Sequence, residues 1–229
     1  MNVDLLAAAG TGPWWLVLGC VLAALPLGWW LRRELSTGGY RIEEDETGPL
    51  PPASWLLVAA LPVVWGLLAW RLGGIGGGTL LPAFLVYGWA GVALFWIDAD
   101  VHRLPHGLTM PMLGAVSALL VVAALGTGEW GALLRSVCCG AGVFVVYLVL
   151  VLASFGGFGF GDLVLGSITG LLLGFLGWRQ PLLAIAAGFV IGSLVMLVRL
   201  ALRQITLKTE IAFGPYILLG ALWVVLVPS

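Results

Sequence analysis

The sequence predicts an all-α polytopic membrane protein, and three observations carry that prediction. Hydrophobic residues make up 61% of the chain and charged residues only 9%, too little polar surface for a soluble domain. Mean hydropathy is +1.11. The apolar residues gather into runs close to the roughly 20-residue length that spans a bilayer, and Gly and Pro fall between the runs and mark turns. A backbone in lipid must satisfy its own hydrogen bonds, so each run is read as a helix.

About eight such runs fit the chain: residues 14–31, 55–70, 80–97, 108–125, 132–155, 163–178, 181–198 and 216–227. The first is a membrane anchor, residues 1–31. Asp4 and the lack of a basic stretch ahead of it argue for a retained anchor over a cleaved signal. Residues 32–54 form the one long polar stretch, with an acidic series at Glu43–Glu46 and a Pro-rich exit. Like charges in series repel and stay hydrated, so this is read as a solvated loop. The remaining six runs and the second form the main membrane domain, residues 55–229. Asp98 follows the third run, Pro105 breaks the chain before the fourth, and the sixth begins as GFGFGD closes on Asp162.

Small residues suit close helix contact in lipid, where packing drives association in place of water exclusion. Gly166, Gly170 and Gly174, spaced four apart, are read as such a packing stripe. Trp14, Trp55, Trp70 and Trp178, near span ends, are read as interfacial anchors. A net charge of −1 gives no reason to expect nucleic-acid binding. Cys20, Cys138 and Cys139 lie inside apolar runs without CxxC spacing, so neither zinc binding nor a disulfide framework is expected.

Basic residues favour the cytoplasmic side of short loops. With the N-terminus outside, Arg32, Arg33, Arg41, Arg103, Arg199, Arg203 and Lys208 gather on one side, against Arg71, Arg135 and Arg179 on the other. The loops after the third span and before the sixth then share the cytoplasmic face, and so do Asp98 and Asp162. Ionisable groups at membrane depth are functional candidates by default. Two carboxylates at a partly dry interface cannot both ionise cheaply and share a proton. One can then take a proton from an attacking water while the other, protonated, stabilises charge developing on a peptide carbonyl. Glycines before Asp162 let the backbone turn and let a substrate strand come close.

These residues together resemble the prepilin peptidase family, the type IV leader peptidases of the GxGD aspartic protease type. In IDADVHRLPHGLTMPML, Asp98 takes the place of the family's first Asp, Pro105 follows seven residues later, and His106 stands where the family has Asn or Asp. Gly159, Phe160, Gly161 and Asp162 match GxGD, and Phe213-Gly214-Pro215 with Gly220 matches a closing FGP landmark. The resemblance covers roughly residues 55 to 225. It implies a GxGD-type helical bundle in the bacterial cytoplasmic membrane, with Asp98 and Asp162 as the catalytic pair and Gly159, Gly161, Pro105 and His106 as supporting loop residues. It also implies prepilin or pseudopilin precursors as protein substrates, no metal, and no cofactor for proteolysis. S-adenosylmethionine enters for the bifunctional branch, which also N-methylates the new N-terminus.

The chain departs from the family pattern in three places. Val164 replaces a Lys two residues after the GxGD aspartate, His106 replaces an amide or acid, and residues 32–54 contain no cysteine, which excludes there the four-cysteine zinc module of the bifunctional members. Asp100, about 200° around a helix from Asp98, is expected to face solvent. His102 and Arg103 are read as headgroup contacts and Pro105 as the break of a re-entrant turn. His106 is either a hydrogen-bond partner of the carboxylates or a simple interfacial residue. Two alternatives stand beside the peptidase: a proton-coupled transporter, and a catalytically silent homologue acting as an assembly scaffold.

Overall fold

The computed structural model describes residues 11–41, 55–153, 159–204 and 212–227. Among these there are eight α-helices and no strand: α1 (Trp14–Leu35), α2 (Trp55–Leu72), α3 (Leu81–Val101), α4 (His106–Thr127), α5 (Trp130–Ala153), α6 (Phe160–Leu176), α7 (Arg179–Ala201) and α8 (Gly214–Leu226), with a short 3₁₀ turn at Ile75–Gly78. Six of the helices are long and apolar enough to cross a membrane, and the shorter α6 and α8 are apolar throughout. The predicted all-α polytopic membrane architecture is the one observed.

Local sequence explains the helix limits. Pro105 stands at the N-cap of α4, and prolines follow the start of α3 and α8, where a missing N–H costs nothing. At the other ends, α4 closes on Gly128 in the left-handed conformation (φ 75°), and α3 closes on His102 at φ 53°. The left-handed cap is a common helix terminator, though usually with glycine.

Sequential helices form the hairpins α1–α2, α3–α4, α5–α6 and α7–α8, and long-range contacts define the two ends of the bundle. At one end the close of α3 meets the starts of α6 and α8, through Leu104 against Gly161 and Gly214. At the other end Arg71, near the close of α2, donates from Nε to the Val225 carbonyl near the close of α8 at 3.1 Å. There too Arg135 of α5 donates from Nε to the Gly174 carbonyl of α6 at 2.7 Å. Two of the three basic residues assigned to that side by sequence thus satisfy the last carbonyls of helices, where a cation also meets the negative end of the helix dipole.

The main core draws on all eight helices, α1 through Cys20 alone among its buried residues, and a smaller cluster joins α1 to α2 and α3 through Leu31, Leu35, Leu57, Leu61 and Ile97. The glycine stripe of α6 is a packing seam, as predicted. A Cβ at Gly166, Gly170 or Gly174 would stand 2.8, 2.6 and 2.6 Å from atoms of Tyr147, Val143 and Cys139 on α5. The interfacial tryptophans are exposed, Trp14 most of all at 76%. Cys20 and Cys139 are buried, Cys138 is exposed, and all three are free.

Most boundaries shift by a few residues from the sequence reading, and the largest shifts are at the ends of α1 and α3. Both α1 and α3 continue four residues past the end of their apolar runs, to Leu35 and Val101, because hydropathy ends where polar residues begin whereas the helix continues while its hydrogen bonds can close. Asp98 therefore lies within α3, one turn before its end. The acidic series at 43–46 and Lys208 fall outside the described residues.

Candidate active site

Asp98 is 3% exposed and Asp162 8%. Asp98 is carried by the last full turn of α3, and its Oδ2 accepts a hydrogen bond from the Gly214 amide at 2.9 Å. Asp162 is the third residue of α6, and its Oδ2 accepts from the Gly159 amide at 3.2 Å. That bond is the acidic half of a capping box, in which an N3 carboxylate reaches back to the N-cap amide. The two carboxylates, 64 residues apart in sequence, lie close enough to interact electrostatically. Each has one oxygen tied to a glycine amide, and its Oδ1 has no hydrogen bond among the described residues.

Gathering two carboxylates carries an electrostatic cost, and the architecture offsets part of it. Gly214 and Asp162 both lie in the first turn of their helices, so the positive ends of two helix dipoles face the pair. Val164, two residues after Asp162, is half-buried.

Glycine is required here by space. A Cβ on Gly161 would stand 2.5 Å from the Leu104 Cβ and 3.1 Å from its carbonyl oxygen, and a Cβ on Gly214 would stand 2.7 Å from Asp98 Oδ2 and 3.3 Å from Leu104 Cδ1. Leu104, 5% exposed, is thus wedged between the starts of α6 and α8 and fixes how closely the three segments approach. Sequence reasoning assigned no role to Leu104 and treated Gly214 as a landmark alone. The FGP tripeptide was the available signal for Gly214; a lone leucine in a loop offers none.

The remaining site residues are placed as follows. Pro105 caps α4 after a tight link, and its carbonyl accepts from the Leu108 and Thr109 amides. His106, the first residue of α4, is exposed, as is His102. Asp100 departs from expectation. It is pinned by Arg41, from Nε to Oδ2 at 2.8 Å and from Nη2 to Oδ1 at 2.7 Å, and by the Tyr40 hydroxyl at 2.7 Å. A carboxylate in the last turn of a helix faces the negative end of the dipole; the bidentate guanidinium compensates it and ties the segment after α1 to α3. Burial, and then the bond to Asp100, push the Tyr40 phenol up to about 12, so it remains a donor through the physiological range. Among the described residues no cluster of His, Cys, Asp and Glu has the makings of a metal site.

The helical bundle thus gathers two buried carboxylates at one end. The chain is 28% identical over 174 residues to the prepilin leader peptidase/N-methyltransferase of Stutzerimonas stutzeri and to that of Pseudomonas aeruginosa, covering 75% of this chain and 57% of each relative. It is 29% identical over 191 residues to the protein of the same name from Aeromonas salmonicida, covering 76% of this chain and 57% of that one. The resemblance to prepilin peptidases read from the motifs is thus shown across three quarters of the chain, and the chain spans little more than half the length of these relatives. No family model and no solved structure matches it.

Proposed function

We propose that this protein is an aspartic endopeptidase that removes the leader of type IV prepilin or pseudopilin precursors at the cytoplasmic face of the bacterial inner membrane. The observation that supports the reading is the electrostatic proximity of Asp98 and Asp162, from α3 and α6, each with one oxygen held by a glycine amide. One carboxylate accepts a proton from water as the water oxygen bonds to the scissile carbonyl carbon. The other, protonated, donates to the carbonyl oxygen. The tetrahedral diol then collapses: the C–N bond breaks, the amine leaves with a proton from the first acid, and a diol proton returns to the second carboxylate. Water and the two carboxylates balance every bond and proton in this cycle.

The gathering of Arg32, Arg33, Arg41, Arg103, Arg199 and Arg203 toward the end that holds the carboxylates supports a cytoplasmic site. A proton-coupled transporter is less well supported, because the carboxylates stand at one end of the bundle and not midway along it. The test is co-expression with a type IV prepilin. The wild type is expected to yield the mature pilin, and Asp98→Asn and Asp162→Asn are expected to leave the precursor intact while remaining in the membrane. Full processing by either variant would remove the pair from the mechanism, and an uncut precursor with the wild type would revive the scaffold reading. Weighing the product with and without S-adenosylmethionine reports N-methylation separately.

A further inference from the structure

A groove of about 620 Å³ runs along α3 between α2 and α8. Its floor is a single stripe of α3, Gly88, Val92, Phe95 and Ala99, at the four-three-four spacing of one helix face. The walls close in at two glycines. A Cβ on Gly88 would stand 3.1 Å from Val64 Cγ1 of α2, and one on Gly91 3.0 Å from Leu218 Cδ2 of α8. The lining is apolar throughout, except for Trp96 and for Tyr87, whose hydroxyl is turned to Thr169 at 2.7 Å. The groove is open along its length: Val63 on one wall is 59% exposed, Phe95 on the floor 40% and Leu219 on the other wall 38%.

The position of the groove sets what it can hold. The floor stripe ends at Ala99, the residue next to Asp98, and the α8 wall begins at Leu218, about one turn after Gly214, whose amide holds the Asp98 carboxylate. The groove is therefore the continuation, down both helices, of the seam that carries the catalytic pair. From Phe84 to Ala99 it extends about 22 Å at 1.5 Å per residue, most of the roughly 30 Å hydrocarbon thickness of a bilayer. We propose that this groove is the docking site for the apolar helix of the substrate, which enters side-on from the bilayer and presents the segment just before that helix to Asp98 and Asp162. The proposal rests on the peptidase reading and locates its substrate. An apolar helix suits a groove whose lining is almost wholly apolar and open along its length. A phospholipid in the same place would set an anionic phosphate against two carboxylates, whereas a peptide sets a carbonyl there.

The test places bulk on the open α2 wall, away from the catalytic residues, in Ala60→Trp and Val63→Trp. For a full-length prepilin, KM is expected to rise about tenfold with kcat nearly unchanged, the signature of lost uniform binding. A short peptide spanning the cleavage site but lacking the apolar helix is expected to be cut equally by wild type and variants. Unchanged KM for the prepilin in both variants would overturn the groove while leaving the peptidase reading intact. Failure of the wild type to cut either substrate would strike the peptidase reading instead. A photocrosslinker in place of Val63 reads docking without cleavage: a crosslink to the prepilin helix, lost on adding Ala60→Trp, supports the groove, and crosslinks to lipid alone overturn it.

Discussion

Along the α5–α6 seam, Gly166, Gly170 and Gly174 each leave a notch that a side chain of α5 fills, whereas at the head of the bundle Gly161 and Gly214 make room for Leu104 and Asp98, and the Gly159 and Gly214 amides donate to the carboxylates. The residue type is the same and the missing Cβ is the same. What differs is the neighbour. In the seam the neighbour is another hydrophobic side chain, and the result is tight packing in a medium that gives no hydrophobic drive between helices. At the head the neighbours are Leu104 and Asp98, and the result is a narrow polar site with its charges held by helix N-termini. Substitutions in the two regions should therefore fail in different ways.

The largest effect is expected at the carboxylates. Asp98→Asn or Asp162→Asn should lower kcat by about 10²–10⁴-fold or more, the range for loss of a positioned acid or base, with no fall in the amount of protein in the membrane. Cleavage of prepilin followed by gel mobility checks this. Next comes Gly214→Ala, whose methyl would meet Asp98 Oδ2 at 2.7 Å. Displacing the carboxylate by a fraction of an ångström should cost up to about 10²-fold in kcat, and Gly161→Ala should resemble it. Leu104→Gly should restore part of the activity of Gly161→Ala, because the Leu104 Cβ is the atom that the new methyl meets; failure of that rescue would separate the wedge from the site.

The seam variant Gly170→Ala should behave oppositely. Overpacking against Val143 should cost about 1–3 kcal/mol of stability, seen as a lower thermal midpoint in detergent, while the folded fraction cleaves at close to the normal rate. Equal losses of activity in the seam and the head would erase the distinction between the two regions. A smaller effect is expected from Arg41→Gln, which releases the last turn of α3: kcat should fall about tenfold or less, and the exchange of Arg41→Asp with Asp100→Arg should recover it. The smallest effect is expected from a chelator. Prepilin cleavage should proceed unchanged in EDTA, and loss that zinc reverses would contradict a mechanism carried by carboxylates alone.

Much of this fold was legible because a bilayer leaves a backbone few choices. Apolar runs become helices, and all eight predicted spans appear as helices in the predicted order. Where the reading erred, it erred at polar ends. Asp98 was placed after its span and proved to be one turn inside α3, because a pattern of hydropathy cannot see a helix that continues through DADV. Asp100 was expected in solvent on helical geometry alone; its partner, Arg41, is 59 residues away, beyond any local rule. The motifs singled out Asp98, Gly159, Gly161 and Asp162. They gave no sign that Leu104 would sit between two glycines from different helices.

The sequence by itself determined the helical membrane architecture and the glycine seam and singled out the two acids as candidates, since each follows from composition or from spacing along one segment. Only the tertiary structure decided that Gly214 holds Asp98, that Leu104 sets the closeness of α3, α6 and α8, and that an open apolar groove leads down from the carboxylates. Those features depend on the distance between atoms of helices remote in the chain, and that distance is fixed by packing, which no single segment encodes.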